Sequence, residues 1–486
     1  MVVSNDKMRR CEPIKPKFDF YSRESIAAEL YISHFNTQLG IFGGSHIGSI
    51  EDLQARMING RPFTDGQFSY SIDVPRQVVE HNLLKLKAHI HLKNSTHLDF
   101  LYGLQQNQRQ EYDIRRGGRS SIPSLDLSLN TQTLDLHLES ITEKGWKNTL
   151  GLNGLLQVNN NVPGTLAVPL IPNYDTHSAG AYLISRLLKS DYELEAAIRF
   201  DHKNLDALGY DQDQQLYGGS QKFNNISATF GTVLYLTGNW SVRSNLGSAW
   251  RAPAVNELYG KGLHHGSAAF ERGNANLSSE RSYKWISSAD YNSDKFNLNL
   301  SFFYNHITDY IYLKPSGDLF ESIRGVFPTF DYRQTDALLA GSDLNITYQI
   351  NRFLDYELKT SLVRAKDVKN DSYLPWIPSD RLENSIGWQS QSKKKTRPEG
   401  YVRLSHLFVA RQNRYQENSD YATPPEAYHL FNATAGVSFK LKGSRLAFNT
   451  SINNISNKLY KEYMNRFRYY AHDQGRNLIV RAILQF

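Results

Sequence analysis

From Leu84 to Lys93 the chain alternates without a break. Leu84, Leu86, Ala88, Ile90 and Leu92 are apolar, whereas Lys85, Lys87, His89, His91 and Lys93 are basic or imidazole. Successive side chains of a β-strand point to opposite faces, so a period of two describes a strand with one apolar and one polar face. Thr133 to Glu139 repeats the pattern, with Leu134, Leu136 and Leu138 set against Asp135, His137 and Glu139. Phe296, Leu298, Leu300, Phe302 and Tyr304 oppose Asn297, Asn299, Ser301 and Asn305. Phe431, Ala433, Ala435, Val437, Phe439 and Leu441 oppose Asn432, Thr434, Gly436, Ser438 and Lys440. These alternating segments are about 10 residues long, enough to cross a bilayer when the strand is tilted.

A soluble antiparallel sandwich alternates in the same way, so the spacing of turns has to separate the two. Short polar turns are expected at Ser22–Ser25, Lys93–Thr96, Glu143–Gly145, Lys189–Asp191, Thr237–Asn239, Asn292–Lys295, Ile350–Arg352, Ser392–Lys395 and Leu441–Ser444. They lie roughly 40 to 70 residues apart, room for two strands and a long polar loop. Short turns at one end and long loops at the other are the pattern of an outer-membrane barrel, whereas a sandwich spreads its loops more evenly. Nine turns join about eighteen strands, and Leu478–Phe486 adds one more, with Leu478, Val480, Ala482, Leu484 and Phe486 on one face. The expected fold is therefore all-β, a transmembrane antiparallel barrel of which roughly nineteen strands are present. Bacterial barrels normally have an even number, so an odd count leads us to expect that N-terminal strands are missing. The barrel is assigned to residues 18–486, and residues 1–17 are left unassigned or as a partial strand.

Composition agrees. Aromatic residues make up 12% of the 486, with 29 Tyr and 24 Phe, while the whole hydrophobic set is only 40%. That balance is low for a globule of this length and suits a wall that is apolar outside, wet inside and ringed by aromatics. No stretch approaches the ~20 apolar residues of a membrane-spanning helix; a run such as Leu166–Ile171 is broken by Pro169. A single cysteine, Cys11, excludes a disulfide framework and a Cys-based metal site. Met1–Lys17 is charged and lacks the apolar core of a signal peptide. The formal net charge of +7 mildly favours anionic ligands. No basic, aromatic-interleaved face of a nucleic-acid-binding fold is visible. There is also no Gly-x-Ser-x-Gly elbow, His-Glu-x-x-His or phosphate loop, so an enzyme is not expected.

The most informative stretch is Trp250-Arg251-Ala252-Pro253-Ala254-Val255-Asn256-Glu257-Leu258-Tyr259, followed by Gly262-Leu263-His264-His265-Gly266 and Phe270-Glu271-Arg272-Gly273-Asn274-Ala275-Asn276-Leu277-Ser278-Ser279-Glu280. It resembles the TonB-dependent outer-membrane receptors, in which an Arg-Ala-Pro box and an Asn-Pro-Asn-Leu box bracket an extracellular loop. Asn453–Tyr460, Arg466–Tyr470 and Gly475-Arg476-Asn477 before the terminal Phe486 look like the end of that family's barrel. The resemblance covers essentially the whole chain. Trp250 stands where haem receptors usually have Phe, and Ala275 replaces the Pro of the second box.

The resemblance implies a 22-stranded barrel whose N-terminal plug and TonB-contacting box are not in this sequence, so the chain is expected to be a receptor's C-terminal part. It implies an outer-membrane location and energised uptake of a scarce ligand, a ferric siderophore or haem, with no intrinsic cofactor and no metal of its own. The implied partners are outer-membrane lipid and lipopolysaccharide, the TonB-ExbB-ExbD system through the plug, and the barrel-assembly machinery through Phe486. A monomer is expected. The rivals are a passive plug-less porin, a non-functional remnant, and a barrel adhesin or enzyme.

His264 and His265 lie where haem receptors of the family place an axial histidine, and a neutral imidazole suits iron; the other reading, and the one preferred here, is a loop histidine that hydrogen-bonds the corner of the fold. In extended backbone only one of them can face the lumen. Arg251, Tyr259, Arg411, Arg414 and Tyr415 are further ligand candidates, since Arg and Tyr pair with the oxygens of anionic chelates. Tyr421, Tyr460, Tyr463, Arg466, Arg468 and Tyr469 extend that set, although arginine equally suits lipopolysaccharide phosphates and the interfacial aromatic belt is the default reading for most of the tyrosines. The box residues Arg251, Ala252, Pro253, Glu257, Leu258, Gly273, Asn274, Asn276, Leu277 and Glu280 are more simply read as a structural corner, through proline's fixed φ and asparagine's turn chemistry. Arg109, Glu111, Asp113, Arg115, Arg116 and Arg119 form a charge cluster whose alternate members are candidates for the lumen wall.

Overall fold

A computed structural model describes residues 9–10, 17–22, 25–45, 47–60, 71–93, 95–264, 267–322, 325–390 and 399–486. Its strands form one 23-stranded sheet. Four are short accessories: Arg9–Arg10, Lys261–His264, Ala269–Arg272 and Ser372–Tyr373. The other nineteen form an antiparallel meander in chain order, from Lys17–Ser22 to Asn477–Gln485, and no ladder joins those two edge strands among the described residues.

Eight of the nine expected turns coincide with short connections between paired strands, two of them (Ser22–Ser25 and Lys93–Thr96) described only in part. The ninth, at Ser392–Lys395, lies outside the described residues. Nothing in the sheet depends on a long apolar helix, and no described helix is long and apolar enough to cross a membrane.

The strands are longer than the alternation suggests. Leu216–Thr237 has 22 residues, and the hairpin Phe296–Ser322 and Gly325–Asn351 has 27 in each arm. On Thr96–Tyr112 the cause is plain: Leu98, Phe100, Tyr102 and Leu104 give way along the same face to Gln106, Gln108 and Gln110. The hydrogen-bonded ladder continues beyond the lipid, but a polar residue beside a polar residue carries no period.

Within the wall the two faces differ sharply. Leu150, Leu152, Ile226 and Leu246 are between 54% and 66% exposed although each lies inside a paired strand. Such a band of exposed aliphatics is unfavourable in water and matches the lipid-facing belt of a transmembrane barrel. Thr149, Gly151, Asn153 and Gln157, the intervening positions, face the lumen.

The apolar core sits over one mouth of the barrel instead of filling it. Ile47, Leu53, Ala268, Ala269, Phe327, Phe330, Tyr469 and Tyr470 form one buried cluster. They come from the long connections after Gly40, Arg251 and Asn453 and from the tip of the long hairpin formed by Phe296–Ser322 and Gly325–Asn351. Leu53 belongs to the helix Ile50–Asn59, capped by the Ser49 hydroxyl at its start and by Gly60 at its end, where φ is +62°. The His472 ring lies 2.9 Å from the Gly60 carbonyl, and Phe42 packs edge-on to Phe467 at 5.6 Å. Connections near the two ends of the meander, after Gly40 and after Asn453, therefore meet, which requires the sheet to curl round on itself.

Replacing Leu152 by Arg is expected to cost about 2–4 kcal/mol of barrel stability in lipid vesicles. Gln105→Arg, on the lumen face, is expected to stay within about 0.5 kcal/mol. Denaturant unfolding of the two variants side by side checks the assignment of faces.

Candidate functional site

The two sequence boxes fold into one corner. Arg251 ends the strand Trp240–Arg251, and its guanidinium donates to Glu257 at 2.6 Å and to both oxygens of Glu280 at 2.9 Å. Glu257 also accepts from the Ala254 amide at 2.7 Å, fixing the first turn of the five-residue helix Val255–Tyr259. That turn begins just after Pro253, whose fixed φ ends the strand. Main-chain bonds join the boxes as well: Asn274 N–H donates to Glu257 O at 2.7 Å and Gly273 N–H to Gly260 O at 2.6 Å. A Cβ on Gly273 would fall 2.7 Å from Gly260 N and 2.8 Å from the Leu258 carbonyl group, so no other residue fits there unchanged. Asn274 closes an Asx turn onto the Asn276 amide, and Leu258, Tyr259 and Leu277 are buried together with Val255 and Ile311. Ala252 and Pro253 connect strand to helix. All three guanidinium nitrogens of Arg251 thus donate within the corner, and Tyr259 is buried in it.

His264 ends the short strand Lys261–His264, half-buried. Its Nδ1 accepts from the Ser267 amide at 3.1 Å and lies 2.9 Å from the Ser267 hydroxyl. An Nδ1 that accepts from an amide places the proton of the neutral ring on Nε2, which leaves no lone pair there for a metal. His265 lies outside the described residues.

The remaining loop candidates are dispersed. Arg411 pairs with Glu426, Arg414 donates to Asp380 at 2.9 Å, and Tyr415 is half-buried beside them in sequence. Arg109 pairs with Glu111 inside the strand Thr96–Tyr112. Arg115 instead leaves the wall and clasps the carbonyls of Thr165 and Leu166 in the next loop, at 2.8 and 3.0 Å. Asp113 is buried at the strand's end. The charge cluster is therefore split between the wall and its loops. Phe486 is fully exposed beyond the last strand.

Arg468 is the centre of the cap. Only 1% exposed, its guanidinium pairs with Asp420 and lies 5.3, 4.8 and 5.0 Å from the ring centres of Trp376, Tyr463 and Tyr469. Tyr421, next in sequence to Asp420, accepts from Thr329 N–H at 2.9 Å near the tip of the long hairpin. A second polar chain links the cap to the box corner: Asn256 donates to the Tyr332 hydroxyl (2.8 Å), Tyr332 to Glu271 (3.0 Å), and Arg466 to the other Glu271 oxygen (2.9 Å). Glu271, Trp376 and Asp420 carry this network, yet sequence reasoning did not single them out. Their partners lie up to 195 residues away, and no local pattern marks them.

Burial also shifts ionisation in the cap: it pushes the Tyr469 phenol well above its ordinary range, lifts the Asp473 carboxyl and lowers Lys461. An acid whose folded-state pKa is raised stabilises the fold at low pH and loses that contribution as pH rises through the raised value. Asp473 therefore adds to the stability of the folded cap on the acid side.

Arg468→Ala leaves the Asp420 carboxylate without a cation, its Tyr469 hydroxyl and Tyr421 amide donors remaining, and is expected to cost about 3–5 kcal/mol. The readout is faster proteolysis in the 410–427 and 454–476 loops, with the 216–251 wall strands still protected. Removing both charges, in Arg468→Met with Asp420→Leu, is expected to restore much of that protection.

The family model described as TonB dependent receptor-like, beta-barrel matches residues 34–455. Among solved structures the chain is similar to the copper transporter OprC, with TM-score 0.71 and 14% identity over 96% of this chain and 70% of that one. It is also similar to the closed form of the ferric-catecholate import receptor Fiu from E. coli K12, with TM-score 0.68 and 14% identity, covering all of this chain and 75% of that one. For the FrpB iron transporter from Neisseria meningitidis (F5-1 variant) the values are 0.67 and 14%, over 96% and 71%. At such identities the structures establish a shared fold, and the family assignment rests on the 422 residues from 34 to 455. Members of that family are transporters, not enzymes, and their barrels lie in the outer membrane. The chain belongs to the TonB-dependent receptor-like β-barrel family.

Proposed function

We propose that this chain is the wall of an outer-membrane receptor for the energised, TonB-dependent uptake of an iron chelate. The observation that carries the reading is the family match over nearly the whole barrel, on a wall whose lumen face is polar and whose long-loop mouth is capped. A barrel of this class is too wide for side chains to fill, so its traffic is set by what closes it. Energised uptake needs a plug and the TonB-ExbB-ExbD system to move it.

Neighbours in fold are described as transporting copper, iron and a ferric catecholate, and iron chelates are the class we extend to this chain. Between a ferric siderophore and haem, the engagement of His264 Nδ1 by Ser267 favours the siderophore, because it removes the Nε2 lone pair that would hold haem iron. Arg411, Arg414 and Tyr415, in the connection at 410–427, are the residues we assign to an anionic chelate at the rim. Their present partners, Glu426 and Asp380, would be exchanged for ligand oxygens. Phe486 is proposed as the signal read by the barrel-assembly machinery.

The test is uptake of radioactive iron as a siderophore complex by iron-starved cells producing the protein, with and without a functional TonB. Uptake is expected to fall to background without TonB; uptake that persists unchanged identifies a passive pore instead. His264→Ala is expected to leave haem binding within about twofold, measured on the membrane-extracted receptor. A loss of about 100-fold or more would restore the axial-ligand assignment.

A further inference from the structure

Far from the capped mouth, four histidines and three carboxylates share one lumen-facing patch near the short-turn end. His89 and His91 belong to the strand Arg76–His91, His97 and Asp99 to Thr96–Tyr112, and Asp135, His137 and Glu139 to Leu125–Ile141. The register sets His91 opposite His97, His89 opposite Asp99, and Asp99 opposite His137. These positions alternate with Ala88, Ile90, Leu98, Leu136 and Leu138 on the lipid face, so the imidazoles point inward.

We propose that His89, His91 and His97 bind one divalent transition-metal ion, of which Zn2+ is the simplest probe, on the inner wall of the barrel. The ring centres lie 4.5 Å (His89–His91), 4.9 Å (His89–His97) and 6.3 Å (His91–His97) apart. With metal–nitrogen bonds of about 2.0–2.1 Å, three imidazoles around a tetrahedral ion have their centres roughly 5 Å apart, which falls within that range.

The hydrogen bonds make the same assignment. A metal-bound histidine commonly gives its second ring N–H to a carboxylate, which orients the ring and strengthens the donor. His89 Nδ1 lies 2.6 Å from Asp99 Oδ1, leaving Nε2 as donor. His97 Nε2 lies 3.1 Å from Glu139 Oε1, leaving Nδ1. Neither nitrogen of His91 has a hydrogen-bond partner among the described residues. His137 differs: one nitrogen faces Asp99 at 3.2 Å and the other Asp135 at 3.1 Å, so it supports the carboxylates and is not a ligand. Glu139 also holds Lys147 at 2.7 Å, which keeps that ammonium off the rings.

As the rings stand, no three such groups are arranged to hold an ion among the described residues. An ion would draw them together by rotation about side-chain torsions, from neighbouring positions that the backbone register already provides. A borderline cation suits imidazole donors, whereas Ca2+ and Mg2+ prefer all-oxygen sites. The site is separate from the cargo path proposed at the rim, and it stands whether or not that reading does.

The experiment is calorimetric titration of Zn2+ into the full chain, extracted from membranes in detergent and first stripped with a chelator. One ion per chain is expected. His89→Ala combined with His97→Ala is expected to weaken binding at least about 100-fold, and Asp99→Asn by about 10–100-fold through the lost ring orientation. His81→Ala, in a lumen-face histidine of the same strand held by Asn107, is expected to leave affinity unchanged. Heat-modifiable gel mobility reports whether each barrel is folded, and His91→Gln, nearly isosteric, gives a second reading of ligand loss. A folded wild-type chain that takes up no Zn2+ overturns the proposal. So does an affinity that is unchanged in the double variant, or one that falls equally in His81→Ala.

Discussion

A peptide group in hydrocarbon has no water to bond to, and leaving it unpaired costs several kcal/mol. That constraint dictates the rest of this molecule. It forces the crossing segments into continuous antiparallel ladders, such as the sixteen-residue strand Trp146–Asn161 paired on both sides. It also divides every strand into a face that meets lipid and a face that meets water. Leu150 and Leu152 belong to the first, and Thr149, Gly151 and Asn153 to the second. A wall built this way has no apolar interior, so tertiary packing must be found elsewhere.

It is found at the long-loop mouth. Tyr469, Tyr470, Phe327 and Phe330 are almost wholly buried there, against residues contributed from distant parts of the chain. Arg468 holds this cap with one carboxylate and three aromatic rings, and Glu271 ties it through Tyr332 to the box corner. The corner is rigid for its own reasons: Arg251 bridges two glutamates, and Gly273 allows two main-chain segments to touch. The scaffold of paired strands thus carries a rigid corner and a polar-anchored cap at the same mouth.

How much of this the sequence announces follows from the range of each interaction. Period-two alternation and polar turns are local, so the wall strands and their short connections are legible from Leu84–Lys93 or Phe431–Leu441 alone. The upper parts of the strands are not, because Gln106, Gln108 and Gln110 alternate with other polar residues. The boxes are recognisable as a motif, yet the Arg251–Glu280 bridge spans 29 residues and becomes visible only in three dimensions. Glu271 and Arg466 are 195 residues apart, beyond any local pattern. For His264 the residue type suggests iron, while its tautomer is set by Ser267, three residues on.

The division of the wall into a lipid face and a wet lumen underlies both the transport reading and the inner histidine site. It is tested most directly with single cysteines in a Cys11→Ser background, at the neighbouring positions Thr149→Cys and Leu150→Cys, probed in membranes with a water-soluble maleimide. The account predicts rapid labelling at 149 and protection at 150 until detergent is added. Equal labelling at both positions, or labelling at 150 alone, would contradict it.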